Sequence, residues 1–124
     1  MNYTVIVPFY NEAKNISSFN YELINNLKKI DNGKRNLEII YVDDGSSDET
    51  FNELKKLSIN TVETLIIKHR TNLSQSAAIN TGIGQSKYEN IVIMDGDLQN
   101  DPNDLAKMVS EFEKGTDMLI GWRK

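Results

Sequence analysis

Apolar runs of strand length alternate with stretches of helical period along the whole chain. Tyr3–Val7 is short, β-branched and continuous, which suits a strand buried on both faces. Asn15 stands where a helix cap belongs, before Ile16, Phe19, Leu23, Ile24, Leu27 and Ile30, whose steps fit a 3.6-residue period. Turn formers at 31–34 end that helix, and Leu37–Val42 reads as a second strand. Ser46 and Glu49 have capping-box spacing ahead of Phe51, Leu54 and Leu57. A third strand is expected over Thr61–Ile67, then a small-residue helix over Ser74–Ile83, in which Ala77, Ala78 and Gly82 allow close packing. Ile91–Met94 is the fourth strand. Asp101-Pro102 opens a helix carrying Leu105, Met108, Val109 and Phe112, Gly115 stops it, and Met118–Ile120 is a fifth strand. Such alternation predicts an α/β fold, with a parallel sheet and helices on both faces.

Composition narrows the class. The 124 residues make one domain, with no internal repeat or linker. The absence of cysteine excludes a disulfide scaffold, a thiolate zinc site and a cysteine nucleophile. A net charge of −4 argues against a protein that holds nucleic acid by bulk charge. No apolar run approaches the roughly 20 residues of a membrane helix. Met1-Asn2-Tyr3-Thr4 lacks the basic region and cleavage site of an export signal, so a cytoplasmic chain is expected.

In open α/β sheets ligands bind beyond the carboxyl ends of the strands. Polar residues gather at those ends: Pro8-Phe9-Tyr10-Asn11-Glu12, then Asp43-Asp44-Gly45-Ser46, then His69-Arg70, then Asp95 to Asp101. Asp95 and Asp97 flank one glycine, and with Gln99 they form a set of hard oxygen donors suited to Mg2+ or Mn2+. A solvated turn capping the next helix has the same sequence. A calcium loop of the EF-hand type is excluded, because Asn100 replaces its glycine and Ala106 its closing glutamate. Asp43 and Asp44 suit hydrogen bonds to a base or ribose, but also a turn bonded to its own backbone. Tyr10 can stack on a base or simply pack. Arg70 can grip a phosphate in a fork or stand unpaired at the surface. His69, the single histidine, shows no partner in sequence and reads as a surface residue.

As a set these motifs resemble family 2 glycosyltransferases of the GT-A fold. They are Val7-Pro8-Phe9-Tyr10-Asn11-Glu12, Val42-Asp43-Asp44-Gly45-Ser46-Ser47-Asp48 and Asp95-Gly96-Asp97-Leu98-Gln99-Asn100-Asp101-Pro102. The Asp-Gly-Asp-Leu-Gln form looks most like the branch that contains dolichyl-phosphate mannosyltransferase and bacterial polyprenyl-phosphate glycosyltransferases. Gly121-Trp122-Arg123 is similar to the Gly-x-Arg after that family's fifth strand. The resemblance implies a three-layer, Rossmann-like GT-A domain binding a nucleotide-diphospho-sugar. Pro8, Tyr10, Glu12, Asp43 and Asp44 would line the nucleoside pocket, with Arg70 and Asp95 also on the donor. Asp95, Asp97 and Gln99 would hold Mg2+ or Mn2+ at its pyrophosphate, with Asp97 and Arg123 catalytic and Arg123 on the phosphate of a lipid acceptor. The implied reaction is metal-dependent, inverting sugar transfer to a polyprenyl-phosphate-type lipid, as in cell-envelope glycan synthesis.

Two departures qualify that reading. Asn72-Leu73-Ser74 puts serine where the family often has glycine, and a Cβ there would crowd a closely approaching phosphate. The family's domain also continues past Gly-x-Arg, so a donor-binding part truncated after about the fifth strand is expected, with nucleotide and metal sites but without turnover. A non-catalytic nucleotide-sugar-binding fragment is the alternative. A receiver domain lacks its acidic pair after the first strand, and a nucleotidyltransferase lacks its basic glycine-rich loop.

Overall fold

A computed structural model describes residues 2–30, 35–94 and 105–114. In chain order the elements are β1 (Asn2–Phe9), α1 (Ile16–Ile30), β2 (Asn36–Asp43), α2 (Thr50–Lys55), a 3-10 turn (Lys56–Ile59), β3 (Glu63–Lys68), α3 (Gln75–Gln85), β4 (Asn90–Ile93) and α4 (Leu105–Glu113). The four strands form one parallel sheet ordered β3-β2-β1-β4. The helix start at Asp101-Pro102, the stop at Gly115 and the strand at Met118–Ile120 lie outside the described residues.

β1 and β2 are central, and their side chains are buried on both faces, which is why they read as near-continuous apolar runs. One face carries the larger core: Tyr3, Val5, Val7, Phe9, Ile39 and Tyr41 pack on the apolar stripes of α1 and α4 and on Leu54 of α2. Burying one such side chain contributes about 1.5–3 kcal/mol, so α1, with six apolar residues inside, is held mainly by its stripe. The other face is thin: Ile6, Ile40 and Val42 meet Ala78 of α3. The helix can sit this close because Gly82 carries no side chain; a Cβ there would lie 2.7 Å from Ile6 Cγ2. The expected three-layer α/β fold with a small-residue helix is therefore what the chain adopts.

The order of strands locates the binding edge. The chain runs outward from β1 to β3, then returns through α3 to place β4 on the far side of β1, so the order reverses at β1. Such a switch point opens a crevice at the carboxyl ends of the strands. There β1 runs on to Phe9 beside β2, three residues past its last pair with β4 at Ile6. Pro8, which has no amide hydrogen to donate, is therefore tolerated within the strand. No helix among the described residues is long and apolar enough to cross a membrane.

Candidate functional site

A cavity of about 260 Å³ opens at the carboxyl end of β1, lined by Pro8, Phe9, Tyr10, Glu12, Asp44, Asn72, Ser74 and Gln75. Three loops meet in it. The loops after β1 and β2 are laced by side chains that capture backbone amides. Asn11 N donates to Ser46 Oγ and Glu12 N to Thr50 Oγ1, both at 2.9 Å. In return Ser47 N donates to Asn11 Oδ1 at 2.9 Å. Asn11 stands at φ 51°, a left-handed conformation that asparagine accepts more readily than most residues. Asn15 Nδ2 donates to Glu12 Oε2 at 2.7 Å, while the Asn15 carbonyl accepts from Phe19 N at the start of α1.

This lacing corrects the capping-box expectation. Helix α2 begins at Thr50, and Glu49 makes no side-chain cap. Ser46 is engaged by Asn11, and Asp48 Oδ1 accepts from Thr50 N at 2.9 Å instead. Burial works to raise the Asp48 pKa. Bonds from the Thr50 hydroxyl and amide and from the Ala13 amide outweigh it and hold the carboxyl below its usual range.

The third loop rests on Gly45, whose φ is +72°. A Cβ there would lie 2.2 Å from Thr71 C and 2.4 Å from Asn72 N, so backbone passes directly over backbone at this point. Asp44 gathers the loop. Its Oδ1 accepts from Leu73 N at 3.0 Å and meets His69 Nδ1 at 2.8 Å, and its Oδ2 accepts from Asn72 Nδ2 at 3.1 Å. His69 was expected to be a lone surface residue. Instead its side chain is 10% exposed and bridges Asp44 to Thr81 Oγ1 of α3, 2.8 Å from Nε2.

Among the residues singled out by sequence, the cavity brings together Pro8, Tyr10, Glu12 and Asp44. Tyr10 is about half exposed there. Asp43 is not a lining residue: it is fully buried, its Oδ1 accepts from Ser46 N at 3.1 Å, and its Oδ2 has no hydrogen-bond partner among the described residues. Arg70 is exposed and does not line the cavity either. Asp95, Asp97, Gln99 and Arg123 lie outside the described residues. Among the described residues, no three His, Cys, Asp or Glu side chains come together as a metal-holding group. Sequence reasoning missed His69, Asn11 and Asn72 as parts of the site. Each carried a positional signal, Asn11 and His69 in the strand-end clusters and Asn72 in Asn72-Leu73-Ser74, but none of their partners could be read from the sequence.

Comparison with known proteins bears on the same region. The model of Glycosyl transferase family 2 matches residues 4–124. The dodecaprenyl-phosphate galacturonate synthase of Rhizobium johnstonii is 36% identical over 123 residues, 98% of this chain and 36% of that protein. The dolichol-phosphate mannosyltransferase of Pyrococcus furiosus is 31% identical, over 99% of this chain and 33% of its own length. Among solved structures, the mannosyltransferase PcManGT from Pyrobaculum calidifontis, in complex with GDP-Man and Mn2+, superposes with a TM-score of 0.68 at 28% identity. It covers 86% of this chain and 31% of that one. S. aureus TarS in complex with UDP-GlcNAc gives 0.66 at 29% identity, covering 92% and 31%. The chain thus spans about a third of the length of these relatives.

Proposed function

The chain belongs to glycosyl transferase family 2, and from that premise we propose that it is the donor-binding part of an enzyme transferring sugar from a nucleotide-diphospho-sugar to a polyprenyl-phosphate-type lipid. The observation that carries this reading is the meeting of Pro8, Tyr10, Glu12 and Asp44 in one cavity at the switch point of the sheet. A carboxylate beside an aromatic ring suits a nucleoside, which presents ring N–H donors and a flat face. PcManGT with GDP-Man and TarS with UDP-GlcNAc make a nucleotide sugar the fitting donor class. Dodecaprenyl- and dolichol-phosphate relatives make a lipid phosphate the fitting acceptor.

In this reading Tyr10, Pro8 and Glu12 hold the nucleoside with Asp44, while Asp43 shapes the turn behind it. Arg70, exposed after β3 and outside the cavity lining, is assigned to the donor's phosphates for its forked guanidinium. Asp95, Asp97 and Gln99 are all oxygen donors, which fits a hard divalent cation, Mg2+ or Mn2+. When bound, that cation offsets the charge developing on the departing nucleoside diphosphate. Arg123 holds the acceptor phosphate in a fork of donors. A phosphate oxygen is already an anionic nucleophile, so the protein's task is chiefly to place it in line with the bond that breaks. A single displacement of this kind inverts the anomeric carbon.

Calorimetric titration of the chain with UDP and GDP, each with and without Mn2+, tests the reading, with Asp97→Asn as control and circular dichroism to check both folds. Metal-dependent binding that Asp97→Asn abolishes is expected. A folded chain that binds neither nucleotide would overturn it.

A further inference from the structure

We propose that His69 is a positioning residue which fixes the Asp44 carboxylate so that it accepts from one base N–H and thereby sets base selectivity; this rests on the nucleoside reading of the cavity. An ionised carboxylate offers about four acceptor positions. Among the described residues, three are filled from within the protein: His69 Nδ1 and Leu73 N on Oδ1, and Asn72 Nδ2 on Oδ2. One position on Oδ2 is left for a ligand. Asp44 is therefore built to receive a single donor, not a bidentate one.

Of the three donors, His69 is the rigid one. Leu73 and Asn72 sit in an exposed loop. His69 follows β3 directly, and its amide donates to Asp43 O at 2.8 Å, continuing the ladder between β2 and β3. Its ring is anchored at the far end by Thr81 Oγ1 of α3, the helix packed on β1 through Gly82 and Ile6. Thr81 has one hydroxyl hydrogen and two neighbours for it, His69 Nε2 at 2.8 Å and Ala77 O at 3.0 Å. If the hydrogen goes to Ala77 O, Nε2 is the ring's donor to Thr81, and Nδ1 donates to Asp44 only when it carries a hydrogen of its own. If it goes to Nε2, the ring is neutral and carries its proton on Nδ1. We take Nδ1–H as the donor to Asp44, because a bare Nδ1 would set its lone pair against the carboxylate oxygen 2.8 Å away.

The base class follows from what one fixed acceptor can take. Uracil N3 and guanine N1 carry a hydrogen and donate to it. Cytosine N3 and adenine N1 are bare acceptors, and their lone pairs face the carboxylate. A carboxylate free to turn relaxes that distinction by reaching their amino groups; one held by His69 does not.

The experiment uses the full chain with Mn2+ and measures affinities for UDP, GDP, CDP and ADP. Asparagine places its amide hydrogens near the position of Nδ1–H, whereas glutamine places them near Nε2. His69→Gln is expected to weaken UDP or GDP binding about tenfold while leaving CDP and ADP little changed, and His69→Asn to restore most of the difference. Thr81→Val, which removes only the far anchor, is expected to move selectivity in the same direction by a smaller factor, and it carries the test if His69→Gln does not fold. Because His69 is the single histidine, nitrogen NMR reads its ring directly, and a protonated, exchange-protected Nδ1 is expected. A bare Nδ1, or unchanged selectivity in folded His69→Gln and Thr81→Val, overturns the proposal. If the wild type binds no nucleotide, the nucleoside reading fails and this inference with it. Nucleotide binding that persists without selectivity in the wild type overturns this inference alone.

Discussion

The two ends of the sheet use the same kinds of residue to opposite effect. At the amino end, Arg35 forks onto Glu113, with Nε 2.9 Å from Oε2 and Nη2 2.6 Å from Oε1. Tyr3 OH donates to the same carboxylate at 2.6 Å, and Arg35 Nη1 reaches the Ile30 carbonyl. Helices α1 and α4 and strand β1 are thereby tied together by charges that satisfy one another. The Arg35 guanidinium, then the Tyr3 hydroxyl, hold the Glu113 carboxyl down to about 2 from its ordinary 4.5. Burial and the neighbouring carboxylate push the Tyr3 phenol up. At the carboxyl end no cation pairs with Glu12 or Asp48 among the described residues. Asp48 and Asp44 take backbone amides, and Asp44 adds a ring nitrogen. A carboxylate matched by arginine has little left for a ligand. Asp44, matched by an amide, an asparagine and a ring nitrogen, keeps an acceptor position at the cavity, whereas Glu113 is engaged in its clamp.

The contrast breaks most severely at Gly45. Gly45→Ala places a Cβ against Thr71 and Asn72 backbone and puts alanine at a left-handed φ, so neither rotamer choice nor side-chain movement relieves it. We expect a loss of about 3 kcal/mol in urea unfolding, together with loss of nucleotide binding, since the loop carrying Asn72 and Leu73 must move. A variant of wild-type stability would show that the loops do not depend on this approach.

At the amino end, Glu113→Gln keeps the shape and removes the charge. A cost of about 1–2 kcal/mol is expected, with nucleotide affinity unchanged. Because the folded pKa of Glu113 is depressed, its contribution is complete above pH 4.5 and is lost as pH falls from there through about 2. Urea midpoints taken from pH 6 to pH 2 should therefore converge for wild type and Glu113→Gln as the solution becomes acid. A constant gap would mean that the fork does not titrate in this window.

The comparison also explains what could be read from sequence. Strands and helices are local patterns, and the runs at Tyr3–Val7, Leu37–Val42 and Ile16–Ile30 announce them directly. β3 begins at Glu63, not Thr61, because the chain is still turning there, with Asn60 Nδ2 bonded to Thr64 Oγ1 and Asn20 Oδ1. The clustering of Pro8, Tyr10, Glu12 and Asp44 could be anticipated because parallel topology brings all strand ends to one edge. His69 could not be understood the same way. Its partners lie 25 residues before it and 12 after it, and nothing in a lone histidine names them. The capping box at Ser46 failed for a related reason, since a neighbouring loop competes for the same hydroxyl.

The smallest test concerns Ser74, where a glycine was expected by resemblance. Its φ of 165° is extended backbone that any residue adopts, so the position makes no conformational demand for glycine. Ser74 Oγ accepts from Ala77 N at 3.0 Å, and its carbonyl accepts from Ala78 N at 3.0 Å, so the residue caps α3 at the rim of the cavity. Ser74→Ala should then cost about 1 kcal/mol, and Ser74→Gly only a few tenths. The two variants also separate the cap from crowding. A Cβ that obstructs a phosphate is kept in alanine and removed in glycine, so Ser74→Gly alone would bind UDP or GDP more tightly. We expect both variants to bind within about twofold of wild type, because the side chain turns into the helix end. A clear gain confined to Ser74→Gly would show that stability of α3 is maintained at the expense of the pocket.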